Sequence, residues 1–221
     1  MTLTGAIESF DVTIPVNGVK GQPSGLPGRL VLPAPPTGLV LFAHGSGSSR
    51  HSPRNAAVAS VLHESWIGTL LFDLLNEQEA TDRVNVFDVA LLAERLLAAV
   101  RYVTGLEQTR HLPLGLFGAS TGAAAALLAA AVEPRVSAVV SRGGRPDLAG
   151  RKLRVVHAPT LLIVGGDDTE VLELNMQALA ELDCEKHLAV IPGATHLFEE
   201  PGTLEEAARL AAEWFARHLH D

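Results

Sequence analysis

Cysteine is nearly missing from this 221-residue chain. Cys184 stands alone, so no intrachain disulfide can form and nothing points to an oxidising compartment; a cytoplasmic protein is expected. Cations are also in deficit. Lys and Arg total 17 against 25 Asp and Glu, a net charge of −8. The basic footprint of a nucleic-acid binder is therefore absent, and no nucleic-acid partner is expected. The longest apolar run, Ala123 to Val132, is ten residues, too short to span a bilayer, so no membrane partner is expected either. Met1 to Val16 carries Glu8 and Asp11 and has neither a basic n-region nor a continuous apolar h-region, so it does not look like a signal peptide. There is no H-E-x-x-H, no paired cysteines and no cluster of histidine and carboxylate at metal-ligand spacing, so neither a metal nor any other cofactor is expected.

What is present is the profile of a soluble globular enzyme: 47% apolar and 19% charged residues, with no internal repeat or low-complexity tail. The length suits one core, so residues 1–221 are read as a single domain. From about residue 38 onward, short apolar runs alternate with longer Ala/Leu-rich stretches, the pattern of a parallel sheet with helices on both faces. Buried strands are predicted at Leu39–Ala43, Thr69–Phe72, Leu112–Phe117, Val136–Val140, Thr160–Val164 and His187–Ile191. Helices are predicted at Pro53–Glu64, Val86–Thr104, Ser120–Val132, Thr169–Glu181 and Thr203–His218, the third stopped by Pro134. Ahead of these, Ile7–Val16 and Arg29–Leu32 read as an antiparallel hairpin joined by the Gly/Pro-rich stretch Asn17–Gly28. The class is α/β, with about eight mostly parallel strands and no insertion large enough for a lid domain.

Gly118-Ala119-Ser120-Thr121-Gly122 is a G-x-S-x-G sequence lying between an apolar strand and an Ala-rich helix. With 20 glycines in the chain the bare pattern carries little weight; its position carries the argument. A nucleophilic serine has to stand on a strained strand-to-helix turn, and the flanking glycines let neighbouring chain approach where a Cβ would clash. Ser120 is thus the candidate nucleophile rather than a simple helix cap.

Such a serine needs a histidine base oriented by a carboxylate, and beyond an elbow of this kind the chain order is serine, acid, histidine. Gly165-Gly166-Asp167-Asp168 follows one predicted strand and Pro192-Gly193-Ala194-Thr195-His196 follows the last. Carboxyl ends of parallel strands form the crevice where ligands bind, so these segments should converge with Ser120. His196 is the candidate base. Asp167 and Asp168 compete for the acid, with Asp168 favoured because it leads directly into the next helix. Oxyanion stabilisation needs backbone N–H donors: one is expected from Thr121, just after the nucleophile, and the second from Ser46 in His44-Gly45-Ser46-Gly47-Ser48-Ser49. That loop lacks the G-K-[ST] ending of a phosphate cradle.

With these residues in place, the chain resembles the dienelactone hydrolase-like branch of the α/β-hydrolases over roughly Gly38 to Leu219. The stretches Ala43 to Arg54, Phe117 to Gly122, Ser141 to Pro146 and Gly193 to Phe198 look like a subgroup sometimes fused to phosphoribosyltransferase domains, for which this length leaves no room. The resemblance implies an α/β-hydrolase fold with nucleophile, acid and base at Ser120, Asp168 and His196. It departs at one point: the namesake enzymes carry cysteine where this chain has Ser120. Cys184 lies away from the elbow and reads as a packed residue.

Arg50 and Arg54 follow the oxyanion loop, and Arg142 and Arg145 follow the strand Val136–Val140, so up to four guanidiniums could ring the crevice and bind a carboxylate-bearing substrate. The other reading pairs them with Asp147, Glu199 or Glu200. The function expected is hydrolysis of a small ester or lactone through an acyl-enzyme. Acyl transfer on the same triad and a silent ligand-binding module are the alternatives. Oligomeric state is left open.

Overall fold

The structure, a computed structural model, describes residues 6–18, 21 and 23–219. Residues 1–5 of the segment read against a signal peptide, residues 19, 20 and 22 of the expected hairpin connection, and the final residues 220 and 221 lie outside the described residues.

Eight strands form one sheet: β1 (Ile7–Asn17), β2 (Pro23–Pro33), β3 (Gly38–Ala43), β4 (Ile67–Phe72), β5 (Leu114–Ala119), β6 (Val136–Arg142), β7 (Thr160–Gly165) and β8 (Lys186–Ile191). Their spatial order is β1-β2-β4-β3-β5-β6-β7-β8. β1, β2 and β4 pair antiparallel, and every pairing from β4 through β8 is parallel. Side chains alternate between the two faces of a strand, so a strand covered on both sides must be apolar throughout. All residues of β3, β5 and β7 are buried, as their continuous apolar runs require.

The described residues form six α-helices, α1 (Pro53–Glu64), α2 (Arg83–Phe87), α3 (Val89–Gly105), α4 (Thr121–Ala130), α5 (Thr169–Glu181) and α6 (Thr203–His218), all but the short, unburied α2 packed on the sheet. On one face Phe42, Phe117, Val140 and Ile163 pack with Val58 and Leu62 of α1 and Phe215 of α6. On the other, Leu41, Leu116, Val139 and Leu162 pack with Leu96 and Val100 of α3, Leu127 of α4 and Ala178 of α5. In α4 every residue except Leu128 is buried, the expected fate of a helix apolar all round. A 3-10 segment, Pro146–Val155, stands between β6 and β7 where a lid domain could have been inserted. The result is the α/β-hydrolase fold without a lid. Among the described residues no helix is long and apolar enough to cross a membrane.

The structure shifts several expected boundaries. The helix expected over Val86–Thr104 is two helices, because the Asp88 carboxylate accepts the Ala90 and Leu91 N–H groups and starts α3 afresh. β2 begins at Pro23, six residues before the expected Arg29, so the hairpin connection is short. β5 begins at Leu114 rather than Leu112: Pro113 has no N–H for a ladder and enters it only through its carbonyl, which accepts from Leu39 N–H at 3.0 Å. α4 ends at Ala130, ahead of the expected Val132.

One buried ion pair ties the hairpin to the helical layer. Arg95 of α3 donates to Glu79 at 2.9 Å and also to the Asn17 carbonyl at the end of β1; the two charged side chains are 5% and 7% exposed. Removing one partner strands the other charge in the interior. Glu79→Ala should therefore cost about 3–5 kcal/mol and lower Tm by roughly 10 °C, read by thermal unfolding.

Candidate active site

β5 runs into α4 through Ser120, whose φ of 51° and ψ of −123° lie where an L-residue is strained. Two glycines make that turn possible by contact rather than by their own torsions. A Cβ on Gly118 would stand 2.4 Å from Ala123 Cα, and one on Gly122 only 2.1 Å from the Ala43 carbonyl oxygen. The turn is anchored from β6: Ser120 N–H donates to the Arg142 carbonyl at 3.3 Å, and Arg145 N–H donates to the Ser120 carbonyl at 3.0 Å. The strain is thus held by surrounding backbone, and the serine side chain is carried above the end of the sheet.

The turns after β7 and β8 bring the other two candidates together. His196 Nδ1 lies 2.7 Å from Asp168 Oδ2. A carboxylate only accepts, so Nδ1 carries the proton and Nε2 presents a lone pair. Of the two competing aspartates, Asp168 is the one that meets the histidine; the Asp167 side chain is exposed while its N–H donates to the Ala194 carbonyl at 3.0 Å. The imidazole leans over the β6 loop, with Cε1 3.8 Å from where a Gly143 Cβ would stand. Ser120 is fastened through its N–H to the residue before Gly143, so the elbow and the imidazole sit against the same loop. Among the described residues the Ser120 hydroxyl makes no hydrogen bond.

Sequence reasoning passed over Glu200 as a brace for the histidine loop. Its carboxylate accepts from Thr195 N–H at 3.0 Å and from Thr195 Oγ1 at 2.6 Å, and these bonds hold its pKa below the usual carboxylate range. In the sequence Glu200 enters only through the alternative reading, as one of three carboxylates that could pair with the arginines. No sequence signal marked it as the clamp beside His196.

His44 was read only as part of the glycine-rich loop, yet it organises that loop. Leu74 N–H reaches His44 Nε2 at 3.1 Å, and a backbone N–H can only donate, so the imidazole proton sits on Nδ1 and is donated to the Gly45 carbonyl at 3.0 Å. Burial pushes the His44 pKa below that of a free imidazole, which keeps it in this neutral form. Carbonyl and N–H of one trans peptide point in opposite directions. Holding the Gly45 carbonyl on His44 therefore turns the Ser46 N–H toward the elbow, where it donates to Thr121 Oγ1 at 3.0 Å. A Gly45 Cβ would lie 3.0 Å from Ser120 Cβ, so the loop rests directly on the serine. The loop's far end is fixed as well: Arg50 N–H donates to Asp73 Oδ1 at 2.7 Å, and the Arg50 guanidinium pairs with the other carboxylate oxygen.

The expected ring of free cations does not form. Arg50 is paired with Asp73, Arg145 is bidentate to Asp147 at 2.8 Å for each bond, and Arg54 lies 3.7 Å from Glu199. Arg142 is 7% exposed, its guanidinium centre 5.8 Å from the Phe117 ring and 5.9 Å from that of Phe198, with Nη2 3.4 Å from Asn55 Oδ1 and Nη1 buried without a partner. Burial first, and the nearby Arg54 charge second, lower its pKa to about 10. Arg142 belongs to the floor beneath the histidine loop rather than to the crevice wall. Cys184 is half-buried beside Thr160, and burial pushes its thiol pKa up, in keeping with a packed residue. A cavity of about 640 Å³ opens from Gly45 and Ser46 toward Leu75, Asn76, Val86 and Leu92.

Comparison with known proteins places this arrangement. A structure of dienelactone hydrolase from Anabaena variabilis superposes with a TM-score of 0.91 at 51% identity, covering 97% of this chain and 99% of that one. Est1E from Butyrivibrio proteoclasticus shares the fold, with a TM-score of 0.78 at 18% identity over 94% of this chain and 98% of its own. Two Mycobacterium tuberculosis proteins (strains CDC 1551 and H37Rv) named "Putative phosphoribosyl transferase" are each 59% identical over 203 residues, 91% of this chain and 46% of theirs. The chain thus spans about half the length of those curated relatives. The model of the dienelactone hydrolase family matches residues 74–219, which carry the elbow, the Asp168 turn and the His196 loop, and the chain belongs to that family.

Proposed function

We propose that this protein is a serine hydrolase that cleaves a small ester or lactone through an acyl-enzyme on Ser120. The observation that carries the reading is the 2.7 Å bond from His196 Nδ1 to Asp168, which in the neutral imidazole leaves Nε2 as the basic nitrogen, with Ser120 held on a strained elbow against the same β6 loop. Ser120 Oγ attacks the carbonyl carbon and gives its proton to His196 Nε2. The imidazolium, stabilised by Asp168, returns that proton to the departing alkoxide. Water then repeats the sequence on the acyl-enzyme and releases the acid. The single cysteine keeps the cytoplasm as the proposed compartment.

Two N–H groups suit the developing oxyanion: that of Thr121, at the N-terminus of α4, and that of Ser46. In this reading the Thr121 hydroxyl holds the Ser46 N–H in position until the substrate oxygen takes its place. His44 acts as a positioning residue, since its bond to the Gly45 carbonyl sets the direction of that N–H. Phosphoribosyl transfer, which the mycobacterial name mentions, is not carried over to a chain that covers under half of those proteins.

A fluorophosphonate probe should label wild-type protein at Ser120 by peptide mapping, and Ser120→Ala should lose the label and at least about 10⁴-fold in kcat. A folded wild type that stays unlabelled would sink the hydrolase reading. Asp168→Asn should lower kcat by about 10⁴-fold while Asp167→Asn stays within roughly threefold of wild type, by steady-state kinetics. His44→Ala should lower kcat by about 10- to 100-fold with KM little changed, and weaken a trifluoromethyl ketone inhibitor in parallel; His44→Gln, which can both donate and accept, should recover part of the loss.

A further inference from the structure

The cavity lined by Gly45 and Ser46, of the loop that rests on the candidate nucleophile, has an electrostatic character opposite to that expected for an anionic substrate. Its charged lining residues are Arg50, Asp73 and Glu77, one cation against two carboxylates. The cation is committed: Asp73 accepts from both the backbone and the guanidinium of Arg50. His44, also in the lining, is held neutral because Nε2 accepts from Leu74 and Nδ1 donates to Gly45. The Asn76 side chain donates to Ser24 Oγ and accepts from Glu79 N–H, and its backbone N–H donates to the Glu79 carboxylate. Pro27, Leu75, Val86 and Leu92 supply apolar wall, and the remaining polar lining, Ser46, Ser48, Ser49 and Gln78, carries no charge. Beyond the lining, Arg54 and Arg145 face their own carboxylates and Arg142 is sealed beneath the histidine loop. A substrate carboxylate entering here would shed water without meeting an available cation, and would approach Glu77 and a chain of net charge −8.

We propose that the part of the substrate seated in this cavity is uncharged, an alkyl or aryl portion of the ester or lactone rather than a carboxylate-bearing one. The proposal rests on the hydrolase reading and narrows it. Selection arises because the Arg50–Asp73 pair fastens the oxyanion loop and is thereby removed from substrate recognition.

The test is kcat/KM of the full chain on two matched pairs. One is p-nitrophenyl hydrogen glutarate with its methyl ester, charged on the acyl side. The other is 3-acetoxybenzoate with its methyl ester, charged on the alcohol side. In the pair whose variable end enters the cavity, the neutral member should be preferred at least tenfold. Added salt should raise the rate on the anionic member alone. Asp73→Asn, which frees Arg50, and Glu77→Gln, an exposed change that leaves the loop bonds intact, should each narrow that preference threefold or more. Equal or faster turnover of the carboxylate member in both pairs, or a preference that Glu77→Gln leaves unmoved, would overturn the proposal while leaving the hydrolase reading standing. Absence of turnover on all four esters together with an unlabelled Ser120 would remove both.

Discussion

A serine can stand with φ near 51° only where its neighbours leave the backbone no other course, and the candidate site is arranged around that constraint. β5 must deliver the chain at the carboxyl edge of the sheet, and α4 must begin at once beneath β3, close enough that Gly122 lies against the Ala43 carbonyl. The alanine-rich helix makes the approach feasible. Its small side chains let it pack between the sheet and α3, and the burial of nearly all of it supplies hydrophobic free energy against the strain of the turn. The same turn starts α4 directly after Ser120, so the positive end of the helix dipole lies next to the serine.

Around the elbow, loops from neighbouring strands are fastened to one another more than to the helices. The β3 loop is joined to the residues after β4 at both ends, through His44–Leu74 and Arg50–Asp73. The β8 loop is braced internally by Glu200 on Thr195 and externally by Asp168 on His196. These are short, directional bonds, several of them to charged acceptors, and they fix peptide planes and imidazole tautomers before any substrate arrives. The arginines take part in this fastening. Three pair with carboxylates and the fourth is packed between aromatic rings, so the positive charge suggested by the primary structure is spent on architecture.

Much of the fold and the central part of the site could be read from the chain alone. Continuous apolar runs demand burial on both faces, which makes strands such as Leu39–Ala43 and Thr160–Val164 legible as members of a parallel sheet. The G-x-S-x-G turn, with Asp168 and His196 each placed just past a later strand, follows from the same periodicity, because parallel strands carry all their carboxyl ends to one edge. Local punctuation was less legible: the Asp88 cap divides a pattern that looks continuous, and Pro113 delays β5, because each acts through single backbone bonds that composition does not reveal.

Sequence by itself therefore determined the α/β class, the order of the elements and the strand ends at which Ser120, Asp168 and His196 stand, since burial and strand direction are properties of local pattern. Tertiary structure alone showed which of Asp167 and Asp168 meets His196, which ring nitrogens of His44 and His196 face which partners, the clamp by Glu200 and the surroundings of Arg50, Arg54, Arg142 and Arg145. Asp168–His196, His44–Leu74 and Arg50–Asp73 join groups far apart in the chain, and Glu200–Thr195 and Arg145–Asp147, though near in sequence, depend on loop courses that no linear spacing encodes.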